Sequence, residues 1–172
     1  MQTTSLIIHV IAAAVLFGPQ VLMFYAVTPA TWMLSNEEVR RSVVKVVAGR
    51  FARLTVVALA VLLVTGLYQY FSIVPESIRE DPQGYRFGTL FAAKMGAFTT
   101  VVVLIGVHVV VYSRKIARLS DAVIAGDEEQ QGALETARTQ SFMFSLILLL
   151  VTLITLALGV ALGDESFSYA QQ

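Results

Sequence analysis

Four long apolar blocks, none of which contains an acidic residue, constrain this chain more than any other feature. They run over 5–27, 51–74, 88–112 and 141–163, and each exceeds the roughly 18 residues that mark a membrane span. Lipid offers no hydrogen-bond partner to a bare backbone, so every such block has to be helical. The expected fold class is therefore all-α: an integral membrane four-helix bundle running up-down-up-down, as a single transmembrane domain over 1–172. Hydrophobic residues make up 56% of the chain and charged residues 14%, and the apolar ones are gathered into blocks rather than spread at a surface period. Residues 1–5 hold no Lys or Arg, which sets the first block apart from a secretory signal peptide.

The net charge of zero conceals a strong segregation. Arg40, Arg41, Lys45, Arg50 and Arg53 lie between the first two spans, and Arg114, Lys115, Arg118 and Arg138 between the last two. The opposite side has Arg79 and Arg86, with Lys94 just inside the third span. Short segments rich in Lys and Arg stay in the cytoplasm, which predicts both chain ends outside and a multi-pass protein of the bacterial plasma membrane. The basic segments read as cytoplasmic helices over about 36–50 and 113–140. Ser35 with Glu38 makes a capping box for the first, and Val39, Val43, Val46 and Val47 fall on one face. That helix can run on into the second span, with Gly49 as its weak point. Asp127 with Gln130 starts the helix leading into the fourth span, and Ile116, Leu119 and Val123 extend the third beyond the membrane. Pro75 to Phe87, with Pro82 and Gly84, reads as an outer loop.

With no cysteine, disulfides, thiolate ligands and thiol catalysis are excluded. No basic face lies away from the membrane, so nucleic acid is not an expected partner. The expected partners are the lipid bilayer and either other membrane redox subunits or further copies of the chain. Packing in lipid depends on close approach and polar contacts. Ser141, Ser145, Thr152, Thr155 and Gly159 form a stripe on the fourth span, and Thr55, Gly66 and Gln69 share a face of the second. Small-residue pairs at Ala14/Gly18, Ala92/Gly96 and Gly159/Gly163 are further candidates for close approach.

Three side chains inside the spans carry charge or bind metal: His9, Lys94 and His108. Such groups are costly in a bilayer and are functional candidates for that reason. His9 and Gln20 lie about 20° apart around the first helix, and Lys94 and His108 about 40° apart around the third. His9 sits near the start of its span and His108 near the end of a parallel one, a depth difference of roughly 20–25 Å. One metal ion needs its ligand nitrogens within about 4 Å of each other, so the two histidines do not share an ion within one subunit. His9 reads as a single axial ligand to haem iron, as a copper ligand, or as an interfacial histidine bonded to a neighbour. Lys94 reads as a partner for a haem propionate, another anion or the site's iron, or as a lysine snorkelling to the outer surface. His108 lies close to Tyr112 and the inner basic segment, where an interfacial structural role stands beside cofactor binding. Met23, Met33, Met95 and Met143 are soft ligands or ordinary apolar residues. Trp32, Tyr68 and Tyr70 fit an interfacial aromatic belt. No acid lies in a span, and no glycine-rich phosphate loop is present.

The run His9-Val-Ile-Ala-Ala-Ala-Val-Leu-Phe-Gly18 resembles the first span of a bacterial superfamily of small membrane proteins. That group includes the copper-resistance D domain and the J-type protoporphyrinogen oxidase. Pro29-Ala30, Arg50-Phe51-Ala52-Arg53-Leu54, Thr65-Gly66-Leu67 and Leu90 to Lys94 are similar too, so the likeness covers about the first 120 residues. It implies a haem role for His9 and Lys94 on the oxidase side, and copper handling on the other. The oxidases carry tryptophan and further basic residues around the first span, which this chain does not. The expected activity is therefore b-type haem binding near the outer face, for electron transfer or a redox step. Copper transport or tolerance, and a structural subunit of a larger complex, are the alternatives.

Overall fold

The computed structural model describes residues 2–163, and among them every regular element is helical. Four helices are long and apolar enough to cross a membrane: α1 (Gln2–Trp32), α2 (Glu37–Ser72), α4 (Arg86–Ile124) and α5 (Glu128–Gly163). The short α3 (Glu76–Glu80) lies between α2 and α4. The long helices have 31, 36, 39 and 36 residues. At about 1.5 Å per residue each is longer than a hydrocarbon core of ~30 Å is thick. Gly49 does not break α2, which runs unbroken through it.

The helix ends depart from expectation in three places. Asn36, not Ser35, caps α2: its side-chain oxygen accepts from the Val39 N–H at 3.0 Å, the spacing an N-cap needs. Ser35 stands one residue too early for that bond. Asp127 makes no side-chain cap, and α5 opens instead on a tight turn over Glu128–Gln130. The link expected as a loop holds α3 and a second tight turn, Pro82–Gly84, closed by the Asp81 carboxylate accepting from the Gly84 N–H at 3.2 Å. A side chain on Gly88 would fall on the Pro82 carbonyl, so this turn docks on the start of α4 only with glycine there. Gly126, at φ 97°, ends α4 in the left-handed conformation that glycine adopts without penalty.

Two stretches widen to π-type turns, Met23–Val27 in α1 and His108–Ser113 in α4. Pro19, which has no N–H to give, stands just before the first of these.

Contacts gather the chain into two units, and every long helix contributes to both. One comprises 2–17, 54–100 and 151–163. There α1 and α2 run antiparallel, because the partners descend as α1 ascends. Gln2 Nε2 donates to the Ser72 carbonyl, Gln69 Nε2 donates to the Ser5 carbonyl, and His9 pairs with Thr65. Ala12 and Leu16 pack with Ala58 and Leu62, and Phe98 covers them. The alanines let two backbones approach, which is where helix association in lipid finds its energy. The pairs Ala14/Gly18 and Ala92/Gly96 do not serve this purpose: all four residues are exposed, and a side chain on either glycine would meet open space.

The other unit comprises 18–53 and 101–150. Its interior holds Val101, Ser120, Leu134 and Ala137, none more than 1% exposed. Phe142 stacks on Phe24 and meets Trp32 edge-on, and Phe144 tilts against Tyr112. Apolar side chains crowd the outside of both units, with Val64 66% and Val160 77% exposed. Water would penalise such a surface, whereas hydrocarbon would solvate it.

Candidate functional site

His9 is half-buried on α1 and faces α2. Its Nδ1 lies 2.7 Å from the Thr65 hydroxyl. That hydroxyl spends its own proton on the Val61 carbonyl at 2.6 Å, so its oxygen accepts from the ring. Nδ1 therefore carries the imidazole proton, and Nε2 keeps its lone pair. Among the described residues Nε2 has no hydrogen-bond partner. Gly66 stands beside this pair, and a Cβ there would lie 3.5 Å from the ring Cε1, an ordinary van der Waals contact. Thr65 thus orients the ring and leaves one nitrogen free to coordinate, as hydrogen-bond partners of ligating histidines do.

Lys94 lies within electrostatic reach of the imidazole. Its stem rests on Gly159 of α5, where an added Cβ would lie 3.5 Å from Nζ and 3.6 Å from Cε. The small-residue stripe on α5 is in this way a seat for a lysine as well as a packing face. Thr152 of the same stripe is buried, while Leu150 is 49% exposed. A shallow groove of about 500 Å³ includes Thr65 and is otherwise lined by Thr4, Ser5, Ile8, Val64 and Tyr68. The Ser5 hydroxyl is buried with no hydrogen-bond partner among the described residues.

His108 belongs to the other unit and is held through its other ring nitrogen. Its Nε2 lies 3.1 Å from the Ser141 hydroxyl and 3.2 Å from that of Ser145. Ser145 also donates its proton to the Ser141 carbonyl at 2.8 Å. Nε2 is thus engaged by both serines of α5, and the ring also stacks near Phe144. The two histidines meet different helices and different hydroxyls.

No three His, Cys, Asp or Glu side chains converge to hold a metal ion among the described residues. A bare ion with several protein ligands of those types has no cage here. Haem makes a smaller demand, because the porphyrin brings four nitrogens to the iron and the protein need add only one. A single imidazole with a free Nε2, fixed by a second-sphere hydroxyl and placed near a cation, fits that demand in its donor chemistry.

A second polar centre escaped the sequence reading. The Glu37 carboxylate on α2 accepts two bonds from Arg138 on α5, at 2.6 and 2.8 Å, and one from the Ser120 hydroxyl of α4. Arg40 and Glu135 extend the network, with an ion pair of 3.4 Å, and Arg41 pairs with Asp121. Glu37 precedes the apolar stretch of α2 by some four turns. Burial alone would raise its carboxyl, but the bonds from Arg138 and Ser120, with the charges of Arg138 and Arg40, outweigh that and hold it below the ordinary carboxylate range. Complementary charges at 37–41 and 135–138 were the available signal.

Compared with known proteins, the chain matches no protein family, no curated protein and no solved structure.

Proposed function

We propose that this chain is a multi-pass protein of the bacterial plasma membrane, an up-down-up-down bundle with its basic segments in the cytoplasm and both ends outside. We propose further that it binds one b-type haem near the outer face through His9, within the copper-resistance D and J-type protoporphyrinogen oxidase superfamily. The four apolar helices and their outward apolar side chains support the first part. The His9–Thr65 pair carries the second, because Thr65 engages Nδ1 and leaves Nε2 of His9 free to coordinate.

Bound haem would supply one-electron chemistry, for electron transfer or a redox step. The residues of the chain do the rest. His9 binds through Nε2, and Thr65 keeps the proton on Nδ1. Lys94 faces an acidic group of the cofactor or offsets negative charge beside it. His108, with Nε2 committed to Ser141 and Ser145, holds α4 to α5 and is not a ligand to the outer haem.

The test is an absorption spectrum with metal analysis of the full chain purified after expression with adequate haem. A Soret band is expected. His9→Ala should abolish or strongly shift it, Lys94→Met should weaken retention or move the reduction potential, and His108→Ala should leave it in place. Full haem without His9, or its total loss without His108, overturns the ligand assignment. Stoichiometric copper instead of haem turns the function to copper handling, and neither one to a structural subunit.

A further inference from the structure

Twelve Lys and Arg residues share this chain, and their partners divide them. Arg40, Arg41 and Arg138 are tied into ion pairs. Arg114, Lys115 and Arg118 are not, although they stand within five residues of one another on α4. The nearby acid of the same helix, Asp121, is taken by Arg41. No acidic side chain among the described residues pairs with the three, and all three are exposed.

These cations line a groove of about 300 Å³ together with Val110, Val111 and Leu119. The groove straddles the point where the π-type turn ending at Ser113 gives way to α-helix. Its residues recur as 110, 114, 118 and as 111, 115, 119, two adjacent rows on one helix face. Each row starts apolar, and the second also ends so. Val110 and Val111 are 52% and 51% exposed, so the apolar end is as open as the basic end.

We propose that this groove on α4 binds the headgroup of an anionic phospholipid. The guanidinium groups of Arg114 and Arg118 and the ammonium of Lys115 would take the phosphate, and Val110 and Val111 the top of an acyl chain. Guanidinium matches phosphate geometry with paired donors, and lysine adds a compact charge. A soluble anion would gain nothing from the valines, whereas a lipid uses both ends of the groove. Basic pockets beside membrane helices recognise anionic headgroups on these grounds. The inference rests on the membrane part of the proposed function and not on its haem.

Native mass spectrometry of the full chain in detergent, with equimolar phosphatidylglycerol and phosphatidylcholine of the same acyl chains, tests it. Phosphatidylglycerol should be retained in roughly tenfold preference. The triple variant Arg114→Gln, Lys115→Gln, Arg118→Gln should lose the preference. The triple variant Lys45→Gln, Arg50→Gln, Arg53→Gln removes equal charge from α2 and should keep it. Circular dichroism checks that both variants stay helical. If the first does not, Arg118→Gln alone should give a partial loss. No preference in the parent, or equal loss in both triples, overturns the site. Full displacement of the lipid by inorganic phosphate, with Val110→Ser and Val111→Ser without effect, also overturns it in favour of a plain anion site. A chain that stays soluble without detergent or lipid would overturn the membrane reading itself, and the Soret band is read separately.

Discussion

A threonine hydroxyl decides which nitrogen of His9 is free. Thr65 back-bonds to its own helix through the Val61 carbonyl, so the oxygen has only acceptor capacity left for the ring. Thr65→Val keeps the shape and removes the acceptor, leaving a ring N–H buried without a partner. That should cost about 1–3 kcal/mol, whereas Thr65→Ser should stay close to the parent. Unfolding measured in detergent checks the pair, and equal losses would mean that the hydroxyl does not hold the ring. At His108 two serines engage the other nitrogen, so the two histidines of one chain are held through different ring atoms. Residue type could not have announced this, because it depends on which hydroxyl lies opposite.

Among the elements, α2 is held at its start by charge and along its apolar part by close approach. Glu37 is 15% and Arg138 12% exposed, so the pair is largely out of water. Removing one partner from such a pair strands the other, and Arg138→Met should destabilise the protein by about 3 kcal/mol at neutral pH. Glu37→Leu combined with Arg138→Met should recover much of that loss. The pH dependence follows from the depressed Glu37 carboxyl. A group whose folded pKa lies below its unfolded one stabilises fully above the unfolded value and loses that contribution as pH falls through the folded one. Parent and Glu37→Gln should thus differ at neutral pH and converge as acidification passes below the ordinary carboxylate range. Melting curves that stay apart at low pH would assign the stability to another group.

For the whole molecule, the charge bias predicts which segments face the cytoplasm. Ser42 is exposed on α2, Ala125 at the end of α4, and Ser77 on α3. In intact cells, Ser77→Cys should label with an impermeant thiol reagent, and Ser42→Cys and Ala125→Cys should label only after permeabilisation. Labelling of Ser42→Cys from outside would invert the topology. Ser120 is a poor reporter although it lies in the same basic segment, since it is fully buried against Glu37.

The apolar blocks alone determined that the chain forms four long helices, because backbone desolvation in lipid permits no other local solution. The polar edges of α1, α2 and α4 were legible too. Periodicity places His9 with Gln20, Thr55 with Gly66, and Lys94 with His108 on common faces, and His9, Lys94 and His108 do meet neighbouring helices. Which small residues make the close approach was not legible. Ala12 and Ala58 carry it, while Gly18 and Gly96 face open space, because spacing marks a possible contact and only the facing helix makes one. The same holds for Glu37 with Arg138, separated by 101 positions in the chain. It holds for the lone pair on His9 Nε2 as well, which exists because Thr65 stands opposite Nδ1. Local hydropathy is a property of one segment, but a hydrogen bond between segments depends on rotation and register, and those were set only when the helices packed.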